Sequence, residues 1–275
     1  MPDLRGLLAE ARQHLGDAQD AEHLLLHALR KPRSWLFAHA QETASVPLQD
    51  AYADLVRRRA SGEPVAYITG RRGFWSLDLE VTPATLIPRP ETELLVELAL
   101  AHLPEHAPRH VLDLGTGSGA VALSLARERP RAKVCATDSS AAALDVARRN
   151  AQQLGIGNVE FVHGDWFAPL PGRRFALIVS NPPYIETADA HLTEGDLRFE
   201  PMTALASGVD GLQAIRIIVA AGRNHLAAGG WLLFEHGWNQ GAAAREALHS
   251  AGYRQVFTAL DLEQRERVSG GSQPD

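Results

Sequence analysis

Hydrophobic positions in residues 1–61 recur with a helical period. Leu4, Leu7, Leu8 and Leu15 fall on one stripe, and Ala21, Leu24, Leu25 and Leu29 on the next. Asp17 stands where an N-cap would serve the second of these helices, with Asp20 near its positive end. Ser34 precedes Trp35-Leu36-Phe37, and Pro47 opens a further helix that Gly62 stops. The stretch predicts a bundle of about four helices that carries no catalytic set. From Phe74 to Val81 the period shortens, with Phe74, Leu77, Leu79 and Val81 around polar Ser76, Asp78 and Glu80, as in a hairpin.

An amphipathic helix over Glu91–His102 follows Pro88-Arg89-Pro90. Beyond it strands and helices alternate. Strands are predicted at His110–Leu114, Lys133–Thr137, Val159–His163, Ala176–Ser180, Trp231–Glu235 and Tyr253–Leu260. Helices are predicted at Ala120–Arg129, Ala141–Leu154, Gly211–Leu226 and Ala242–Ala251. This alternation specifies an α/β fold with an open, mostly parallel sheet covered by helices. A last strand near Arg267 is short and poorly apolar, and the Gly/Ser/Pro-rich tail after it predicts a frayed end. Three parts are expected: a helical domain over 1–72, a hairpin linker over 73–86, and a Rossmann-like domain over 87–275.

Composition changes this picture little. The 275 residues are 45% hydrophobic and 22% charged, with a formal net charge of −6. An acidic balance lowers the expectation of a nucleic-acid partner, whose phosphates demand a basic face. The basic run Arg57-Arg58-Arg59, joined by Arg71 and Arg72, reads as the solvated end of a helix before it reads as a nucleic-acid patch. One cysteine, Cys135, suits a reducing compartment. Arg12, His14, Asp17 and Asp20 interrupt residues 1–30, which predicts neither signal peptide nor membrane anchor, and hence a cytoplasmic protein.

Two motifs carry chemistry. Asp113-Leu114-Gly115-Thr116-Gly117-Ser118-Gly119 lies between a predicted strand and helix, where glycines allow a sharp turn and close ligand approach. Asp138 ends the next strand, in place to accept hydrogen bonds from both hydroxyls of a ribose. The Gly-x-Gly-x-Gly spacing departs from the dinucleotide fingerprint and resembles the first motif of Rossmann-like methyltransferases. In those enzymes the turn cradles the methionine part of the cofactor, and residues placed like Asp165 or Trp166 flank the adenine. The second motif, Asn181-Pro182-Pro183-Tyr184, follows a strand at its carboxyl end. The Asn181 side-chain carbonyl and the Pro182 carbonyl can accept both N–H bonds of a planar –NH2 group, and Tyr184 offers an aromatic face. An amide or exocyclic amine is a weak nucleophile, so acceptors aimed at its protons favour attack on an activated methyl. No clustered Cys/His set suggests a metal.

On these residues the chain resembles the release factor glutamine methyltransferases. Further blocks carry the likeness over nearly the whole length: Gly62-Glu63-Pro64-Val65-Ala66-Tyr67-Ile68-Thr69-Gly70, Pro88-Arg89-Pro90-Glu91-Thr92-Glu93, Glu200-Pro201, Gly208-Val209-Asp210-Gly211-Leu212, Glu235-His236-Gly237, and Asp261 to Arg267. The stretch Asp261–Arg265 departs from the family in lacking a glycine. The resemblance implies S-adenosyl-L-methionine as cofactor, S-adenosyl-L-homocysteine as product, and the glutamine of the Gly-Gly-Gln loop of class I peptide chain release factors as substrate. It implies that the helical domain docks the release factor. Gly115, Thr116, Gly117, Ser118, Gly119, Asp138, Asp165, Trp166 and Asn181 would contact the cofactor, and Asn181, Pro182, Pro183 and Tyr184 the glutamine, with Asn181, Pro182 and Tyr184 catalytic. No nucleic acid or membrane partner is expected, and a monomer is. Arg89 would pair with a carboxylate of the site or with Glu93, Glu200 and Asp210 would order the loop over the acceptor, and Glu235 would line the cleft or cap the sheet rim. His236 reads as structural. Competing readings are methylation of a ribosomal-protein glutamine, a nucleic-acid adenine or guanine N-methyltransferase, and an idle cofactor-binding scaffold.

Overall fold

The computed structural model describes residues 2–274. The chain divides into two compact units: residues 1–71 with 193–199, and residues 72–192 with 200–275.

Among the described residues the first unit holds five helices, where the periodicity predicts about four: α1 (Leu4–Leu15), α2 (Ala18–Leu29), α3 (Arg33–His39), α4 (Val46–Ala60) and a single turn, α5 (Val65–Thr69). Asp3 caps α1 by accepting from Gly6 N at 2.7 Å, and Asp17 caps α2 by accepting from Gln19 N and Asp20 N. Pro32, and not Ser34, takes the cap position of α3. The apolar stripes close on Leu4, Leu7, Leu24, Leu25, Leu36, Val56 and Ile68, and the Tyr52 hydroxyl donates to Ala21 O across this core. Segment 193–199 lies apart in sequence but belongs to this unit. Arg59 bridges Asp20 and Asp196 at 2.6 and 2.9 Å, and Arg198 donates to Ser61 O. Gly62, at φ +94, lies directly under the Arg198 guanidinium, where a Cβ would collide with it. Arg57 and Arg58 are likewise paired, with Asp54 and Glu63. The basic run is therefore neutralised within the chain.

The second unit starts within a hairpin of β1 (Arg71–Phe74) and β2 (Leu77–Glu80), which form a sheet of their own. Trp75 turns the hairpin at φ 54, and its N–H groups donate to Glu93 and Glu128. After α6 (Glu93–Ala101) come β3 (His110–Leu114), α7 (Ala120–Glu128), β4 (Lys133–Asp138), α8 (Ala141–Leu154), β5 (Val159–His163) and β6 (Phe175–Ser180). Then α9 (Gln213–His225), β7 (Leu226–Glu235), α10 (Gly241–Ser250), β8 (Arg254–Leu260) and β9 (Glu266–Ser272) complete the chain. The sheet order is β5-β4-β3-β6-β7-β9-β8. Strands β3 to β7 run parallel, while β9 is antiparallel to both of its neighbours. Alternate residues of β3 enter opposite cores: Val111 packs with Leu177 and Leu233, Leu112 with Ile178 and Leu232. Helices cover both faces, so central strands are apolar throughout.

From β3 the chain winds outward through β4 and β5. It then returns to β6, beside β3, and winds the other way. The carboxyl ends of β3 and β6 thus flank the switch point, where open α/β sheets leave a crevice.

The C-terminal end differs from expectation. Residues 266–272 are not frayed: β9 sits inside the sheet, with Val268 and Ser269 fully buried. Pairing on both sides overrides weak strand propensity, and the glycines are what allow it. A Cβ on Gly270 would strike the Leu233 side chain and come within 2.8 Å of Leu232 O. The turn before β9 lacks a glycine, and Gln264 adopts φ 62 there. Asp261 holds that turn by accepting from Glu263 N and Arg265 N and pairing with Arg267. Strand β7 begins at Leu226, five residues before its predicted start at Trp231. Leu226 pairs with Phe175, and the register shifts before Leu177 pairs with Trp231. No helix among the described residues is long and apolar enough to cross a membrane.

Asp113 closes β3 with its carboxylate sealed from solvent, accepting from Thr116 Oγ1 at 2.7 Å and Ala122 N at 3.2 Å. Burial pushes its pKa up to about 7, against those two bonds.

Two consequences are measurable. A carboxylate raised in the folded state favours folding fully below its unfolded pKa of 3.8, and this is lost as pH rises through about 7. Urea unfolding of the ligand-free protein will show stability declining across that window, with a shallower decline for Asp113→Asn. Gly270→Val will lower unfolding free energy by about 1–3 kcal/mol, because the backbone contact has no room to relax.

Candidate active site

The turn after β3 is built from left-handed glycines: Gly115, Gly117 and Gly119 have φ of 70, 55 and 86. Gly115 N and Thr116 N both donate to Thr137 O at 2.9 Å, tying the turn to the end of β4. One residue on, Asp138 accepts from Gly117 N through Oδ2 and from Ser140 N through Oδ1, each at 2.8 Å. Those bonds favour its ionised form, yet burial raises its pKa overall. Each oxygen keeps a further lone pair for a ligand hydroxyl. Trp166 sits at φ 43, a strained conformation for a large side chain, with its ring 3.7 Å from where a Gly115 Cβ would be.

These groups line one cleft of about 700 Å³, a volume that includes open solvent. Gly115, Gly117, Asp138, Asp165, Trp166 and Asn181 share its wall with Thr137 and Pro183. Thr116 and Ser118 line a smaller adjoining recess with Thr92 and Asn181. Gly119 reaches neither. A Cβ there would lie 2.9 Å from Leu123 and 3.3 Å from Ala147, so its lack of a side chain serves packing of the turn on the helices. The residues suit an adenosyl cofactor in two respects. Asp138 can accept ribose hydroxyls, and Thr137 Oγ1, on the cleft wall, is a buried polar atom with no protein partner.

The second motif leaves the carboxyl end of β6. Ser180 Oγ donates to Leu114 O at 2.8 Å, locking this end to β3. Asn181 Nδ2 then donates to Thr92 Oγ1 at 3.0 Å, which leaves Oδ1 as the free end of the amide. Asn181 and Pro183 line the cleft, whereas Pro182 is buried beneath it. Tyr184 is half-buried against the core on the α9 face, and its hydroxyl donates to Glu235 Oε1 at 3.0 Å. Burial and the Glu235 charge both raise the phenol pKa. The Tyr184 carbonyl accepts from Gln240 Nε2 and packs on Gly211, where no Cβ would fit. The turn is therefore fixed at both ends.

Other wall residues are held by a second buried carboxylate. Glu200, with no exposed side-chain area, accepts from Ile87 N at 3.0 Å and pairs with Arg89. It joins the segment holding Thr85 and Leu86 to that holding Pro201 and Ala204, all on the cleft wall. The open choice for Arg89 thus resolves to Glu200, while Glu93 accepts from Trp75 N. Asp210 pairs with exposed Arg216 and caps Leu212 N. His236 is fully buried between Gly237 O and Ser269 Oγ, and burial lowers its pKa, which fits a structural part.

Sequence reasoning passed over Thr92, Gly211 and Gln240 as single residues. Thr92 lay inside the Pro-Arg-Pro-Glu-Thr-Glu block, and its burial is visible only in the folded chain. Gln240 carried none, because its contact with the turn is a matter of loop placement.

Residues 92–196 match the methyltransferase small domain, and residues 6–70 match the PrmC N-terminal domain. A release factor glutamine methyltransferase of Xylella fastidiosa is 56% identical over 100% of this chain and 99% of its own length. One from Escherichia coli K12 is 48% identical over 98% of this chain and 96% of its own. A solved methyltransferase of Pyrococcus furiosus shares the fold at a TM-score of 0.57 and 18% identity, covering 81% of this chain and 100% of that one. With a glycine turn and an Asn-Pro-Pro-Tyr turn meeting at one switch point, and identity of this order over the full length, the chain belongs to the release factor glutamine methyltransferase family.

Proposed function

We propose that the protein methylates the side-chain amide nitrogen, N5, of the glutamine in the Gly-Gly-Gln loop of class I peptide chain release factors. The observation that carries this reading is the Asn181 amide, whose nitrogen is engaged by Thr92 so that its oxygen is left for a donor on the cleft side. S-adenosyl-L-methionine, when bound, supplies a methyl group made electrophilic by its sulfonium. Gly115, Gly117, Asp138 and Trp166 would hold it, with Asp165 at the exposed rim and Thr116 and Ser118 in the adjoining recess.

Asn181 Oδ1 and the Pro182 carbonyl accept the two N–H bonds of the substrate amide and fix its plane. As the new C–N bond forms, positive charge grows on nitrogen, and both acceptors bond more strongly to its protons. The same two dipoles are in place before reaction, so they need little reorganisation. Formation of the C–N bond would break the bond from methyl to sulfur and release S-adenosyl-L-homocysteine, and one of these protons would pass to solvent, leaving a neutral secondary amide. Rigid positioning of the amide contributes the rest. The helical unit would dock the body of the release factor, and the enzyme would act as a monomer in the cytoplasm. The acidic balance and the internally paired arginines favour a protein substrate over a nucleic acid.

The test is transfer of label from S-adenosyl-L-methionine to a purified release factor and to its variant with alanine for the Gly-Gly-Gln glutamine. Label is expected on the intact factor alone, at that residue by mass spectrometry. Labelling of the alanine variant would overturn the assignment. Asn181→Ala should lower kcat by about 10²–10³-fold with cofactor binding retained. Asp138→Ala should weaken cofactor affinity by about ten- to a hundredfold in calorimetry, because charge-assisted hydrogen bonds are lost.

A further inference from the structure

Among the described residues of the second unit, six large apolar side chains stand exposed: Met202, Val209, Ile217, Trp238, Leu260 and Leu262. Single exposures of this kind are ordinary on a protein surface. Their placement is less ordinary, because all but Ile217 of α9 gather around one edge. Met202 lies between Pro201 and Thr203, which line the cleft. Val209 lies in the segment joining β6 to α9, Trp238 in the loop leaving β7, and Leu260 and Leu262 at the end of β8 and in the turn after it. Strand β8 runs with β7, since β9 is antiparallel to both. These loops therefore leave the carboxyl edge of the sheet, on the side of the acceptor turn.

Hydrogen bonds hold the loops to that turn. Gln240 Nε2 donates to Tyr184 O at 3.0 Å and to Asp210 O at 3.4 Å, while its Oε1 accepts from Gly237 N at 2.9 Å. One side chain thus fastens both the Val209 loop and the Trp238 loop to the end of Asn181-Pro182-Pro183-Tyr184. His236 N donates to Arg267 O at 2.9 Å, joining the Trp238 loop to the turn that carries Leu262. Val209, at 91% exposure, and Trp238, at 63%, are therefore presented to solvent on anchored backbone. The charges beside them are paired within the chain: Asp210 with Arg216, Glu263 with Arg265, and Asp261 with Arg267. Apolar area beside neutralised charges suits a protein surface better than a phosphate backbone.

A macromolecule that brings an –NH2 group to Asn181 has to lie across this edge. The proposed acceptor glutamine follows two glycines, which offer no side chains to grip, and the acceptor turn engages a single amide. So few atoms carry little affinity. The remainder has to come from the surface beside the cleft. We propose that Met202, Val209, Trp238 and Leu262 form an apolar docking rim for the release factor, seating the protein surface that flanks its Gly-Gly-Gln loop while the glutamine enters the cleft. This rests on the reading of the release factor as substrate. Trp238 is the main anchor, as a large aromatic on the middle one of three adjoining loops. The rim touches the substrate alike before and during methyl transfer, so it contributes binding and not rate.

The experiment compares Trp238→Ser, Val209→Ser and Leu262→Ser with the parent in the full-length enzyme. It measures kcat and KM for a purified release factor, S-adenosyl-L-methionine affinity, thermal midpoint and sedimentation. The KM for the factor is expected to rise about 10–30-fold for Trp238→Ser and about 3–10-fold for each of the others, with kcat and cofactor affinity within about twofold of the parent. An unchanged thermal midpoint verifies folding; if one variant melts early, the other two decide. Parental KM in the folded variants overturns the proposal, and methylation of the factor by the parent then still upholds the substrate reading. A fall in kcat at unchanged KM overturns it too, because the residues would then act in the chemistry. A parental dimer that the variants dissolve, again at unchanged KM, would assign the edge to a second copy of this chain. If the parent leaves the factor unlabelled, the substrate reading itself falls and the rim's role falls with it.

Discussion

The site depends on the parallel pairing of β3 with β6. Leu114 and Ser180 are register partners at the carboxyl end of that pair, and the Ser180 hydroxyl closes on Leu114 O. One residue beyond each stands Gly115 on one side and Asn181 on the other. Two loops far apart in sequence thus leave the sheet side by side. The separation follows from topology, because helices from β3 and β6 depart in opposite directions and cannot fill the gap between them. Cofactor turn and acceptor turn share a cleft for this reason, and Asn181 lines both of its recesses.

Around that crevice the protein buries three carboxylates. Asp113 braces the glycine turn, Glu200 joins two stretches of wall, and Glu235 sits under the acceptor turn. Each is inaccessible, and each organises backbone or side-chain donors that would otherwise be free to rotate. Burial strips a carboxylate of water at a cost, and directional bonds in a low dielectric offset part of it here. A fixed geometry of this kind is what catalysis by preorganised dipoles requires.

Much of this was legible in the chain itself. The glycine spacing after an apolar strand, the acidic residue ending the next strand, and Asn181 to Tyr184 all sit at positions that hydrophobic patterning located closely. Strands such as His110–Leu114 and Val159–His163 keep their predicted bounds, because the apolar runs end abruptly at glycine and polar residues. What the pattern missed is non-local. The affiliation of segment 193–199 with the helical unit rests on Arg59 pairing with Asp196 and on Arg198 donating to Ser61 O, each across 137 positions of sequence. The burial of Thr92 beside Asn181, 89 positions apart, is of the same kind.

By itself the sequence determined the fold class, the location of both loops and the chemistry of their side chains, since periodicity and glycine conformation are properties of neighbouring residues. Only the tertiary structure decided how those side chains point. The direction of the Asn181 amide depends on a threonine from another element, and the Tyr184 hydroxyl on a glutamate from β7. It also decided that a glycine- and serine-rich tail becomes an inner strand. Local propensity disfavours that strand, but ladders on both edges and close packing over Gly270 supply what the segment alone lacks.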